Sequence, residues 1–220
     1  MSELRLTGFR HSVYTRSVRI ALSEKGVAYA YEECDPFQPQ GQEGLRALHP
    51  FGRVPVLQHE GFRLYETAAI LGYVNEAFAG PELMPQGAKA RARARQVIAI
   101  ADSYVYQPLV RDAFSHAVYR PMLGEKGDAE VIARGLEAAP AMLDALEEIA
   151  AEGLVLQPKS DATTDGHLFA MLDYFVMVDE GQAMIAARPN LSTWFTAFAA
   201  RPSAIETRPD LGALTEEQPT

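Results

Sequence analysis

The sequence predicts an α/β domain followed by an all-helical domain. Three observations carry that reading. Short alternating strands and helical stripes are interleaved over the first eighty or so residues, only helical periodicity appears afterwards, and the character changes at Ala79-Gly80-Pro81. The division is therefore residues 1–79 for the first domain, 80–88 for a linker and 89–220 for the second.

Leu4 and Leu6 alternate with Arg5 and Thr7 as in a short strand, and a polar loop runs from Gly8 to Arg16. Val18, Ala21 and Leu22 then recur at helical spacing, with Gly26 as the stop. Val27, Tyr29 and Tyr31 alternate as a second strand, and Asp35-Pro36-Phe37-Gln38-Pro39-Gln40-Gly41 reads as an irregular loop. Val54 to Leu57 and Phe62 to Leu64 form two strands joined by a turn at Glu60-Gly61. A helix from Thr67 turns Ala68, Ile70, Leu71 and Val74 inward. The order is βαβ, a break, then ββα.

Beyond the linker, Pro108 is expected to kink or end a helix. Ile132, Leu136, Leu143 and Leu146 form the apolar stripe of another, ending near Gly153. Leu168, Met171, Leu172 and Phe175 mark a helix apolar on most faces and hence central to its domain. Arg188 to Trp194 open a further helix that Arg201-Pro202 ends.

The 48% apolar content is enough to bury a substantial core. With 29 acidic and 20 basic side chains the formal charge is −9, which repels polyanions and excludes nucleic acid as a partner. The Arg91-Ala-Arg-Ala-Arg95 cluster reads as a solvated helix face. A single cysteine, Cys34, leaves no intrachain disulfide and suits a reducing cytoplasm. The start of the chain has no signal-peptide core, and no stretch approaches a membrane span. The five histidines show no H-x-H or H-x-x-x-H pairing, so no metal site is expected and they read as separate, mostly surface residues.

Five segments in this order give the chain a family resemblance. They are Ser17-Val-Arg-Ile-Ala-Leu-Ser-Glu-Lys-Gly26, His49-Pro-Phe-Gly-Arg-Val-Pro-Val-Leu57, Glu66-Thr67, Asp165-Gly-His-Leu-Phe-Ala-Met-Leu172, and Arg188-Pro-Asn-Leu191 with Trp194. A βαβ-ββα domain carrying these segments, followed by a helical one, resembles the glutathione transferases of the serine type. The resemblance implies a thioredoxin-like N-terminal domain, an all-α helical-bundle C-terminal domain, glutathione as co-substrate, a small electrophilic second substrate and a homodimer.

It also implies roles for particular residues. Pro55 matches the family's cis-proline, which lets the backbone N–H and C=O of Val54 pair with the cysteinyl unit of glutathione as in strand addition. Glu66 accepts from the ligand ammonium, and Thr67, where serine is commoner in the family, offers a hydroxyl and an N–H to the γ-glutamyl carboxylate. Arg53 stands where the glycyl carboxylate is reached. Aligned on Val18 to Leu22, Ser12 takes the place of the activating hydroxyl and Gly8 that of the tyrosine used by other classes, with Tyr14 the substitute donor.

A serine cannot form a mixed disulfide, so conjugation or peroxide reduction is favoured over thiol exchange. The alternatives are a glutathione-dependent isomerase, against which the Ser12-Val13-Tyr14 run counts, and a non-catalytic glutathione-binding or interaction protein. Tyr104, Tyr106, Arg111 and Phe114 are candidate walls for the second substrate, which the family holds between its domains. Ala162 replaces the family's capping serine before the central helix, leaving Asp161, Thr163 or Thr164 as possible caps.

Overall fold

The computed structural model describes residues 4–159 and 164–211 of the chain. The capping candidates Asp161 and Thr163, with Ala162, lie outside the described residues, as does the side chain of Thr164. Two compact units result, Met1–Leu83 and Met84–Thr220.

In the first unit the elements run β1 (Leu4–Gly8), α1 (Val13–Lys25), β2 (Ala30–Glu33), α2 (Pro39–Leu48), β3 (Val56–His59), β4 (Phe62–Tyr65) and α3 (Thr67–Ala77). The sheet order is β2-β1-β3-β4, with β1 parallel to β2 and β3 antiparallel to both its neighbours. A parallel pair needs a crossover, and α1 supplies it. Leu6, Val18, Ile20, Leu22, Leu57, Ile70 and Val74 form the core, with α1 packed on α3. Glu60 and Gly61 both have positive φ, 50° and 79°, the backbone of a two-residue hairpin turn between β3 and β4.

Helix α1 starts at Val13, inside the stretch to Arg16 that reads as loop, and three further expectations need correcting here. The second strand starts at Ala30 rather than Val27, and as an edge strand it is exposed throughout, so alternation of apolar residues did not locate it. The Asp35–Gly41 stretch is not all loop, because α2 begins at Pro39, a residue suited to the first helical position. Among its residues only Leu45 is buried, so no apolar stripe announces the helix. Ala68 faces solvent, while Ile70, Leu71 and Val74 turn inward.

The second unit is helical: α4 (Ala88–Ile100), a π-helical continuation (Ala101–Tyr119), α5 (Arg120–Met122), α6 (Ala129–Ala151), α7 (Thr164–Phe175), α8 (Asp179–Ala186), α9 (Pro189–Ala199) and α10 (Pro202–Glu206). The rod from Ala88 runs on to Met122 with Pro108 inside it, so Pro108 does not end a helix. Packing against α6 and α7 holds that rod together despite the missing backbone donor. At Gly135 the backbone of α6 comes so close that a Cβ would lie 2.5 Å from the Pro108 carbonyl oxygen and 2.9 Å from the Ala113 nitrogen.

Helix α7 is buried from Leu168 through Phe175, as a central helix requires. Its start is tied to α9 by Trp194 Nε1, which donates to Asp165 Oδ2 at 3.2 Å. The start of α9 is held in turn by Glu147 of α6, whose carboxylate accepts from the backbone N–H groups of Asn190 and Leu191 at 3.1 and 2.8 Å. Arg93 of the basic cluster pairs with Glu152 through a two-pronged contact. No described helix is long and apolar enough to cross a membrane.

Candidate active site

The strand registers gather the predicted residues of the first unit at one end of its sheet. Val56 of β3 lies opposite both Thr7 of β1 and Tyr65 of β4. One step beyond, the carboxyl end of β1 leads into Ser12, β3 is entered through Val54 and Pro55, and β4 passes into Glu66 and Thr67. Helices α1 and α3 both start at this end, so two helix N-termini with their positive dipole ends lie at the same end of the sheet.

Ser12 is the N-cap of α1. It sits in extended backbone at φ −83° and ψ 124°, and its Oγ accepts the backbone N–H of Thr15 at 3.3 Å. A hydroxyl that accepts through a lone pair retains its own proton for donation. Among the described residues nothing takes that proton, and Ser12 is half-buried. Tyr14 is half-buried as well, in the first turn of α1. Gly8 is required where it stands, since a Cβ there would lie 2.3 Å from Thr15 Cγ2. Thr15 is itself buried, and its Oγ1 accepts the Phe9 N–H at 3.3 Å. A bulky donor at position 8 is thus excluded by packing.

The Val54-Pro55 peptide is cis. The ladder begins at Val56, so the backbone groups of Val54 are not taken up by the sheet. Thr67 is buried and opens α3, a helix without a side-chain cap, leaving the N–H groups of its first turn without intrahelical acceptors. Glu66 precedes it at φ 71° and ψ 114°, a left-handed conformation rare for a residue with a side chain. Its carboxylate is 64% exposed, and Arg53 is exposed too.

The sequence reads the five histidines as mostly surface residues, and the structure corrects this, first at His49. Its side chain is only 3% exposed, and it lies at the same end of the sheet as Glu66 and the loop before β3. His11 and His167 are also buried, and among the described histidines none is fully exposed. The partners explain why: His167 Nε2 meets Asp102 Oδ1 at 3.0 Å across 65 residues, a distance no local pattern reveals. His49 Nδ1 accepts the Phe51 N–H at 3.1 Å, its ring lies 4.5 Å from that of Tyr65, and its Nε2 faces Glu66 Oε1 at 4.0 Å. Burial lowers its pKa below the ordinary histidine value. Glu66 opposes that shift and Arg53 adds to it.

Cys34 follows β2, and its N–H donates to the Gly8 carbonyl at 2.7 Å. Burial raises its pKa first, and Glu32, Asp35 and Glu33 raise it further, so its thiol is not activated. Among the described residues no group of three or more His, Cys, Asp or Glu side chains is placed to hold a metal ion.

Of the four candidates for the second substrate, Tyr104 and Arg111 are exposed and Tyr106 is half-buried. Phe114 is only 3% exposed, with its ring stacked on Tyr174 at 4.3 Å, so it packs the core of the helical unit. Aromatics at helical spacing cannot be sorted into core and surface before the neighbouring helices are placed.

Residues 6–82 match the family model described as glutathione S-transferase, N-terminal domain. Glutathione S-transferase 3 of Zea mays is 29% identical over 92% of this chain and 92% of its own length. With glutathione S-transferase F14 of Arabidopsis thaliana the identity is 29% over 74% of this chain, a match that spans 65% of that relative. The solved structure of glutathione S-transferase III in apo form superposes with a TM-score of 0.79 at 25% identity, covering 93% of this chain and 95% of that one.

Residues 6–82 are thus similar to that family's N-terminal domain, and nearly the whole chain is similar to glutathione S-transferases. The thioredoxin-like sheet of the first unit and the helical second unit are the fold of that family.

Proposed function

We propose that this chain is a glutathione transferase in which Ser12 activates the glutathione thiol for attack on a small apolar electrophile or a peroxide. The observation that carries this is the Ser12 hydroxyl, which accepts from Thr15 N–H and keeps its proton to donate outward at the start of α1. A thiol of pKa near ~8.5 is mostly protonated at neutral pH. A charge-assisted hydrogen bond to its thiolate stabilises the anion by about 1.5–3 kcal/mol. The dipole of α1 acts in the same direction.

Glutathione itself is held along the sheet end. The open backbone groups of Val54, beside Pro55, pair with its cysteinyl unit. The uncapped first turn of α3, with the Thr67 hydroxyl, receives the γ-glutamyl carboxylate, and Glu66 receives the ammonium. Arg53 reaches the glycyl carboxylate. In the helical unit, Tyr104, Tyr106 and Arg111 are the residues we assign to the second substrate. No metal takes part in this reading.

Conjugation of apolar electrophiles places the protein in detoxification. The single cysteine suits a reducing cytoplasm, and the enzyme is read as a homodimer, which light scattering checks. The functional test is an assay with glutathione against an aryl halide, an epoxide, an organic peroxide and a mixed disulfide. Turnover of one of the first three, lowered about tenfold to hundredfold in Ser12→Ala, is the expected result. Turnover of the disulfide alone would overturn the reading.

A further inference from the structure

We propose that His49 is a positioning residue that couples the two halves of the glutathione site, the loop before β3 and the start of α3. The inference rests on the reading of Glu66 and the loop through Val54 as glutathione contacts. His49 caps the end of α2, its own N–H bonded to the Leu45 carbonyl at 2.7 Å. Its Nδ1 accepts from Phe51 N–H, which fixes the first turn of the segment Phe51-Gly52-Arg53-Val54. The turn is closed further by Gly52 N–H, which donates to the His49 carbonyl at 2.9 Å.

Because Nδ1 accepts, the neutral ring carries its proton on Nε2, the atom that faces Glu66 Oε1 at 4.0 Å. That separation is an electrostatic contact rather than a hydrogen bond. The Tyr65 ring at 4.5 Å and the Phe51 ring at 5.7 Å enclose the imidazole. One buried ring thus touches the loop that carries Arg53 and Val54 on one side and the strained Glu66 on the other. The charged groups acting on it are Glu66, at the start of α3, and Arg53, in the loop before β3.

The neutral state is the one that fits both contacts. A protonated imidazole cannot accept from Phe51 N–H, so the loop loses its tie. It also becomes a cation beside Glu66 and competes with the ligand ammonium for that carboxylate. Both effects weaken glutathione binding as the pH falls into the range where His49 titrates, below the ordinary histidine value.

The test compares wild type with His49→Ala, His49→Asn and Glu66→Ala by steady-state kinetics in glutathione and by thermal unfolding. In His49→Ala the KM for glutathione is expected to rise on the order of tenfold, the loss of one hydrogen bond and one contact between the neutral ring N–H and a carboxylate, with kcat at saturating glutathione unchanged. In His49→Asn the shorter amide oxygen accepts from Phe51 N–H and restores most of the neutral-pH affinity. The acid weakening seen in wild type is then absent. A fall in kcat with unchanged KM, or an acid limb that persists in His49→Asn, would overturn the proposal. If Glu66→Ala binds glutathione as wild type does, the underlying assignment of Glu66 fails. If it weakens binding while both His49 variants leave it intact, the positioning role alone fails. Should His49→Ala not fold, the pH profile of His49→Asn decides.

Discussion

Ser12 Oγ accepts the backbone N–H of Thr15 at 3.3 Å, so one hydroxyl caps a helix and still has a proton to give. The two roles separate in a variant. Ser12→Ala should lower conjugation at neutral pH about tenfold to hundredfold, from a lost bond of ~1.5–3 kcal/mol, with little change in glutathione affinity. It should also lower the unfolding free energy by about 1 kcal/mol, because α1 loses its cap. Steady-state kinetics with calorimetric binding checks the first part, and equal losses in both would remove Ser12 from the chemistry.

Ser12→Cys keeps an N-capping heavy atom and introduces a thiol at the same place. Reduction of a mixed disulfide with glutathione is expected to appear in this variant and to be absent from wild type. An unchanged substrate range in the panel assay would contradict the assignment of this position as the place where the glutathione sulfur meets the protein.

Glu66 holds φ 71° without the freedom of glycine, a conformation that costs on the order of 1–3 kcal/mol. Glu66→Gly relieves it, and the added freedom of the unfolded chain takes back part of that gain. Chemical denaturation is expected to find the variant as stable as wild type or about 1 kcal/mol more so, with a raised KM for glutathione. A less stable variant that binds glutathione normally would show that the strain has no functional cause.

Gly135 lets the backbone of α6 meet the π-helical segment at Pro108 and Ala113. Gly135→Ala would place a methyl group 2.5 Å from a carbonyl oxygen, a position that requires the two helices to part. A loss of about 1–3 kcal/mol is expected in thermal or denaturant unfolding, although alanine is the better helix former.

Glu147 caps α9 from a different helix. Burial alone raises its pKa, but the N–H of Leu191 and the amide groups of Asn190, with Arg188 nearby, outweigh that and leave it lowered. A carboxylate depressed on folding contributes stability above its ordinary value and loses it as the pH falls through the folded one. Glu147→Ala should therefore be about 1 kcal/mol less stable than wild type at neutral pH, as for a lost N-cap. The gap should close at acid pH below the usual glutamate range. A gap independent of pH would show that packing, not the cap, is responsible.

Much of the first unit was legible because its signals are local. Thr67 opens a helix, Gly26 ends one in left-handed backbone, and Glu60-Gly61 turns a hairpin. Helix α2 was not, since it buries only Leu45 and leaves no periodic trace. The candidate site residues could be named in order, but that the entry to β3 and the exit from β4 share one end of the sheet follows from the pairing of Val56 with Tyr65, a register no single segment encodes. His49 stood inside the motif His49 to Leu57, yet its burial depends on Tyr65 and Glu66, sixteen and seventeen residues on. The fate of Phe114 was hidden for the same reason, because Tyr174, on which it stacks, belongs to another helix.

The measurement that bears most directly on Ser12 is the ultraviolet absorbance of the glutathione thiolate bound to the protein, followed against pH. Wild type should show the bound thiol ionising about one to two pH units below the free thiol, and Ser12→Ala should return it toward ~8.5. Glutathione that binds normally but titrates in wild type as it does in free solution would contradict the account.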